Sequence, residues 1–250
     1  MSSELKYLIK IVKQASKLIT DSFVVNAKDN NNDLVTSFDL EIEKFLIQKI
    51  KNKFPEYEVI SEEFNTNQKQ TKNFFTIDPI DGSINFANGL PLWGIQIAMV
   101  KDFKTCASVL YFPKINQLYY ADETGAYCNG KRLDLSSTKT TSKPLIDQIY
   151  LDNEYEFYQE FTAKIPSDLK ARTIRKLYCA SLSFCWNATG AIGAFVFAKD
   201  LPWDHTPGMF LVEKANGATA NFTYKNKPYF ISAINKQVLN KVIKAIKKTQ

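Results

Sequence analysis

Histidine is almost missing from this 250-residue chain: His205 is the only one, and the four cysteines (Cys106, Cys128, Cys179 and Cys185) include no C-x-x-C pair. A zinc site built on several imidazoles is thereby excluded. A disulfide framework is out of place in a chain long enough to bury its own core. A Ser-His-Asp triad would rest on that one imidazole, and no serine lies in a G-x-S-x-G elbow. No window reaches the ~18 apolar residues that a membrane span requires. The opening MSSELKYLIKIVKQ also lacks the layout of a secretory leader. The net charge of +6 comes from lysines scattered along the chain rather than gathered in a stripe or arm, which argues against a nucleic-acid partner. These absences lead us to expect a soluble, cytoplasmic protein in a reducing compartment. Acid–base and metal chemistry must then fall on carboxylates.

What is present is ordinary globular material, 45% hydrophobic and 23% charged, enough for one large domain or two tightly joined ones. Leu5, Leu8, Ile9, Val12, Leu18, Ile19 and Phe23 recur at helical spacing and predict a helix over 4–24. Thr36 and Asp39 form a capping-box pattern that opens a second helix, with Leu40, Phe45, Leu46 and Ile50 as its apolar face. Short strands are expected at 58–60 and 74–77, then an antiparallel series at 94–100, 105–112, 117–121 and 125–128. The polar stretch SSTKTTSK at 136–143 marks the boundary between an N-terminal α+β part, 1–140, and a C-terminal α/β part, 141–250. In the latter, strands at 149–151, 173–175 and 194–197 alternate with helices at 154–164, 179–189 and 205–215, before a basic helix at 236–248. The whole reads as an α+β and α/β layered sandwich.

The segment NFFTIDPIDGSIN at 73–85 carries the most information. An apolar strand runs into Asp78-Pro79-Ile80-Asp81-Gly82-Ser83, where Pro79 cannot donate to a ladder and Gly82 permits a tight turn, so the strand is expected to end there. Two aspartates three apart then emerge beside a helix start. Paired acids at a strand end suit a hard, oxygen-seeking cation, and a helix start offers N–H groups to a phosphate. The spacing differs from D-x-D-G-T, whose acids are two apart. Read alone, the segment is also an ordinary Asp/Pro/Gly turn.

Three more segments tell against the plain turn: Asp33-Leu34-Val35-Thr36-Ser37-Phe38-Asp39, Ile60-Ser61-Glu62-Glu63 and Pro202-Trp203-Asp204-His205. D-x-V-T-x-x-D at 33–39, E-E at 62–63, D-P-I-D-G-S-x-N-F at 78–86 and W-D-x-x-x-G at 203–208 together resemble the inositol monophosphatase family, in its order and over nearly the whole chain. The resemblance implies an inositol-monophosphatase/fructose-bisphosphatase-like fold and a Mg²⁺-dependent phosphomonoesterase. Glu62, Asp78, Asp81 and Asp204 match metal-ligating positions, with the Ile80 carbonyl as a further ligand; the first part would supply most of them and the second would supply Asp204. Asp39, Ser83 and Glu62 match catalytic positions, with Asp39 and the Ser83 hydroxyl as the pair that orients or deprotonates water. Gly82 and Ser83 would hold phosphate oxygens through their backbone N–H groups, and Lys28 matches a lysine near the metals. Cys179, Ala180, Phe197 and His205 fall at or beside substrate-lining positions.

Three departures bear on the substrate. Ser83 stands where many members have threonine, and Ser61 where they have glycine. Phe197, seven places before Asp204, stands where members acting on inositol often carry an acid, and a phenyl ring cannot accept hydrogen bonds from a polyol. The resemblance implies a small phosphorylated substrate, an inositol monophosphate or a related sugar or polyol phosphate, and a homodimer. Histidinol phosphate, nucleotide 3′-phosphates and fructose 1,6-bisphosphate stay open within the same chemistry. A regulatory RNA- or protein-binding scaffold is the reading outside catalysis.

Overall fold

Ser2 opens the first helix, α1 (Ser3–Ala15), by accepting from the Leu5 N–H at 3.1 Å, and Leu5, Leu8, Ile11, Val12 and Ala15 make its buried stripe. The computed structural model describes residues 1–20, 25–27, 34–136, 146–149, 161, 163–165 and 174–248. Helix α1 is shorter than the periodicity predicts. It tightens into a 3₁₀ turn at Ser16–Leu18, where the Ser16 hydroxyl turns back to donate to the Lys13 carbonyl at 3.1 Å, a local competition that hydroxyls win near helix ends. The second helix, α2 (Ser37–Lys53), opens on the expected capping box of Thr36 and Asp39. Its buried row is Phe38, Ile42, Leu46 and Ile50. Leu40, expected on that face, is 40% exposed, because a row at every fourth residue from Phe38 turns position 40 to the opposite side.

The short strands β1 (Val25–Ala27) and β2 (Leu34–Thr36) pair antiparallel. A seven-stranded sheet follows: β3 (Glu58–Ser61), β4 (Phe74–Asp81), β5 (Gly94–Lys101), β6 (Lys104–Phe112), β7 (Gln117–Asp122), β8 (Gly125–Cys128) and β9 (Lys131–Leu133), in that spatial order. Only β3 and β4 are parallel; the other neighbours are antiparallel. Strand β4 does not stop before Pro79. It continues to Asp81 through a register shift between Asp78 and Asp81, and this irregularity accommodates a residue that has no N–H for the ladder.

The second sheet has five strands, ordered β11 (Ile174–Arg175), β10 (Ile146–Ile149), β12 (Ala194–Phe197), β14 (Lys227–Ala233) and β13 (Ala218–Tyr224). The sequence reading placed no strand between 218 and 233. Lys225 and Asn226 both take positive φ, 49° and 62°, the geometry of a two-residue hairpin turn. Between the sheets lie α4 (Ala180–Ala188) and α5 (Pro202–Lys214), α3 being the short Ser83–Ala87; α6 (Lys236–Ile246) covers the outer face of the second sheet.

Alternation along the strands explains the layering. On β6 and β7, Ala107, Val109, Leu118 and Tyr120 face the α1–α2 core, while Leu110, Phe112, Tyr119 and Ala121 face the core shared with α4, α5 and the second sheet. The result is five layers, helix–sheet–helix–sheet–helix. Among the described residues no helix is long and apolar enough to cross a membrane. Lys28, Asp33, residues 137–143 of the expected boundary and most of the expected helix at 154–164 lie outside the described residues.

Candidate active site

Strand pairing gathers the acids. Ser61 pairs with Ile77 in parallel register, so Glu62, just past the end of β3, comes to the level of Asp78 within β4. Across the other edge of β4, Asp78 lies opposite Gln96, whose amide donates to Asp78 Oδ2 at 3.2 Å. Asp204 arrives from the first turn of α5, the helix that packs across this sheet. Oxygens of Asp78, Asp81 and Asp204 all lie within 4.8 Å of one another.

Such crowding has an electrostatic cost. Asp78 is 1% exposed, and burial drives its carboxyl well above the usual carboxylate range, with the charges of Glu62, Asp81 and Asp204 adding to the effect. A hydrogen bond between Asp78 and Asp204 pushes in the same direction. Like charges in a dry site are relieved by a proton or by a cation. The donor set is oxygen alone, which suits Mg²⁺ rather than zinc. The residues therefore fit the implied ion.

Asp81 is held from the far side. The Ala180 and Ser181 N–H groups at the start of α4 donate to its carboxylate at 3.1 and 2.6 Å, the Ser181 hydroxyl makes a further short bond, and the Cys179 thiol lies 3.1 Å from Oδ2. Burial raises the Asp81 carboxyl, while these donors, Ser181 foremost, pull it down. The Cys179 thiol itself is pushed up by burial and by the Asp81 charge, so it acts as a donor rather than as a nucleophile. Asn85 completes the junction, its amide donating to the Leu92 carbonyl at 2.7 Å and the Leu177 carbonyl at 2.8 Å.

Gly82 sits at φ 91°, and a Cβ there would come within 2.9 Å of the Leu92 carbonyl oxygen and 3.3 Å of Cys179 Cβ. Only glycine combines that conformation with that approach. The Ser83 hydroxyl donates to the Ile80 carbonyl at 3.1 Å. Asp39 is fully buried, its Oδ2 accepting from the Thr36 N–H at 2.7 Å and the Thr36 hydroxyl at 2.5 Å. Phe38 and Phe86 meet edge-to-face at 6.2 Å and tie the start of α2 to α3, which begins with Ser83.

Phe197 is 1% exposed, stacks on Phe195 with ring centroids 6.2 Å apart and belongs to the core between the sheets. Ala180 contributes its N–H to Asp81, as above. His205 is buried, its ring stacked on Phe230 at 3.7 Å; burial lowers its pKa to about 4 against the pull of Asp200. Its Nε2 lies 3.5 Å from Asp200 Oδ1, an ion pair only when the ring is protonated. Sequence reasoning missed Gln96 and Glu43, and it took the stretch 178–181 as substrate-lining, where Ser181 instead donates to Asp81. Glu43, wholly buried on α2, accepts from the Ser61 hydroxyl at 2.5 Å, the Phe64 N–H at 2.7 Å and the Glu63 N–H at 2.9 Å. The available signal for it was an acid on a helix face otherwise buried by Ile42 and Leu46.

A five-layer sandwich with a buried acid cluster where two sheets meet defines the class, and comparison with known proteins agrees. Residues 2–248 match the inositol monophosphatase family, and the chain belongs to that family. It is 29% identical over 235 residues to a fructose-1,6-bisphosphatase/inositol-1-monophosphatase of Thermotoga maritima, covering 90% of this chain and 88% of that one. It is 26% identical over 233 residues to the Nus factor SuhB of Escherichia coli strain K12, covering 89% and 86%. Among solved structures, the Thermotoga maritima IMPase matches with a TM-score of 0.83 at 26% identity over 100% of both chains. An IMPase/NADP phosphatase complexed with Mg²⁺ and phosphate matches with a TM-score of 0.80 at 23% identity, over 96% and 92%.

Proposed function

We propose that the protein is a Mg²⁺-dependent phosphomonoesterase acting on a small phosphorylated metabolite. The observation that carries this reading is the triad of Asp78, Asp81 and Asp204 within 4.8 Å, the first two buried and the third half-buried, a concentration of negative charge that calls for a cation. When bound, Mg²⁺ would neutralise these acids and draw charge from the phosphate and the attacking water. The chain's own groups divide the remaining work. Glu62 extends the acidic wall, and the Ile80 carbonyl adds a neutral oxygen beside it. Asp39 and the Ser83 hydroxyl orient the water and take its proton. The N–H groups of Gly82 and Ser83 receive phosphate oxygens, with Lys28 as an additional cation. Family resemblance supports each assignment, and the convergence of the turn at 80–83 with the starts of α2 and α4 supports those of Asp39, Gly82 and Ser83.

Phe197 supports a substrate other than a polyhydroxylated ring, since a core phenyl supplies no acceptor for hydroxyl groups. The test is phosphate release from inositol 1-phosphate, a sugar phosphate, histidinol phosphate, a nucleotide 3′-phosphate and fructose 1,6-bisphosphate, each with Mg²⁺ and with chelator. Release from at least one ester that stops in chelator supports the reading; full turnover in chelator overturns it. The similarity to SuhB, named a Nus factor, supports a second reading, a regulatory scaffold. That reading predicts no release from any ester while the fold stays intact.

A further inference from the structure

The cation site proposed above needs Glu62 at a fixed height beside Asp78, yet Glu62 lies just past the end of β3, where the ladder no longer holds the chain. The residues around it are gripped from another element. Glu43 on α2 has no exposed surface. Its Oε1 accepts from the Ser61 hydroxyl at 2.5 Å and the Phe64 N–H at 2.7 Å, and its Oε2 accepts from the Glu63 N–H at 2.9 Å. The three donors stand on both sides of Glu62 in the chain and leave its side chain for the acid cluster.

A buried carboxylate is poor value as a stabiliser, because its desolvation consumes most of what its hydrogen bonds return. An apolar residue would extend the stripe of Ile42 and Leu46 at lower cost. Its charge has a clearer use in ordering backbone N–H groups, since charge-assisted bonds are short and strong. Ser61 supplies the side-chain donor, a group that glycine at this position would lack.

We propose that Glu43, together with Ser61, is the positioning device for Glu62. Its carboxylate sets the backbone of 61–64 so that Glu62 reaches the same cation as Asp78, and it touches neither substrate nor ion. The inference rests on the metal-dependent reading above, so its test measures Mg²⁺ binding directly as well as turnover. The variants are Glu43→Gln, which presents an amide N–H₂ to donors and loses one acceptor, and the milder Ser61→Ala, which removes one of the three donors.

Calorimetric titration with Mg²⁺ is expected to show affinity about 10-fold or more weaker for Glu43→Gln, the scale on which partners of metal ligands act. Ser61→Ala should show a smaller loss in the same direction. A purely structural Glu43 would lower the melting temperature and leave Mg²⁺ affinity of the folded variants within about twofold of the unmutated protein, the range below any metal-positioning effect; that result overturns the proposal. If Glu43→Gln does not fold, Ser61→Ala decides alone by the same criterion. If the unmutated protein itself binds no Mg²⁺, the proposed function falls and this inference with it, whereas normal binding by the unmutated protein and both variants removes the inference alone.

Discussion

Ser83 lies one residue past the left-handed Gly82 and sends its hydroxyl back to the Ile80 carbonyl at 3.1 Å. It donates rather than accepts, and Gly82 occupies the cap position of α3, so the hydroxyl contributes little as a helix cap. Ser83→Ala should therefore spare the melting temperature and lower kcat by ~10²–10⁴-fold, the scale of general acid–base assistance, while Ser83→Thr keeps substantial turnover. A folded, fully active alanine variant would remove Ser83 from the chemistry. Asp78 makes a prediction about pH. The folded chain holds its proton well above the ordinary carboxylate range, whereas the unfolded chain releases it near ~4. Without a cation, then, stability falls as pH rises. His205 works in the opposite sense, neutral when folded down to about 4, but its effect is complete above ~6.5, where both states are neutral. As pH rises above the ordinary carboxylate range, the melting temperature in chelator should fall relative to that in saturating Mg²⁺, a comparison from which the His205 contribution cancels; a value in chelator that gains on the Mg²⁺ value as pH rises would contradict the crowded-acid account. Asp78, Asp81 and Asp204 were legible in the sequence as a set, through the motifs they share with the family, whereas each alone reads as a turn or a cap. The bonds made by Gln96, Glu43 and Ser181 were not, since they span 18, 18 and 100 residues and depend on pairing and packing that no local pattern carries.

Elements set how tightly these residues are held. Helices α4 and α5 cross at Gly208, where a Cβ would lie 2.3 Å from Phe184 Cγ. The glycine of W-D-x-x-x-G is thus a requirement of close approach, one turn along the helix from Asp204. Gly208→Ala must push the two helices apart, and overpacking of this kind costs about 1–3 kcal/mol. The expected result is a lower melting temperature together with weaker Mg²⁺ binding, because Asp204 and the N–H groups that hold Asp81 ride on the two displaced helices. Calorimetry measures both quantities, and unchanged values for both would show that the helices can slide without cost. Element reading from the sequence succeeded where periodicity was sustained, in the four antiparallel strands from β5 to β8 and in α2, whose cap was explicit. It failed at α1, where Ser16 competes for backbone groups, and at β13–β14, whose turn is Lys-Asn rather than a glycine pair. The end of β4 was misread because a bulge admits a proline that a regular ladder rejects.

At the scale of the molecule, the site is a seam. Asp81 belongs to the first sheet and its donors to a helix lying against the second, a hundred residues away; Asn85 reaches the Leu177 carbonyl across 92. Loops of that length close late in folding, because their entropy must be lost before any contact repays it. Asp78 and Asp81 share one strand, but Asp204 joins them and Asp81 gains its donors only when the later elements dock, so a chain still folding offers a divalent ion an incomplete site. The cation's influence then falls on the escape route alone. Added Mg²⁺ should slow unfolding several-fold and leave the refolding rate almost unchanged, the pattern of an interaction absent from the transition state. Stopped-flow jumps in both directions would measure it, and faster refolding in Mg²⁺ would mean that the acids meet early. On this account the ion is a latch: it plays no part in building the molecule and governs how long the finished molecule lasts.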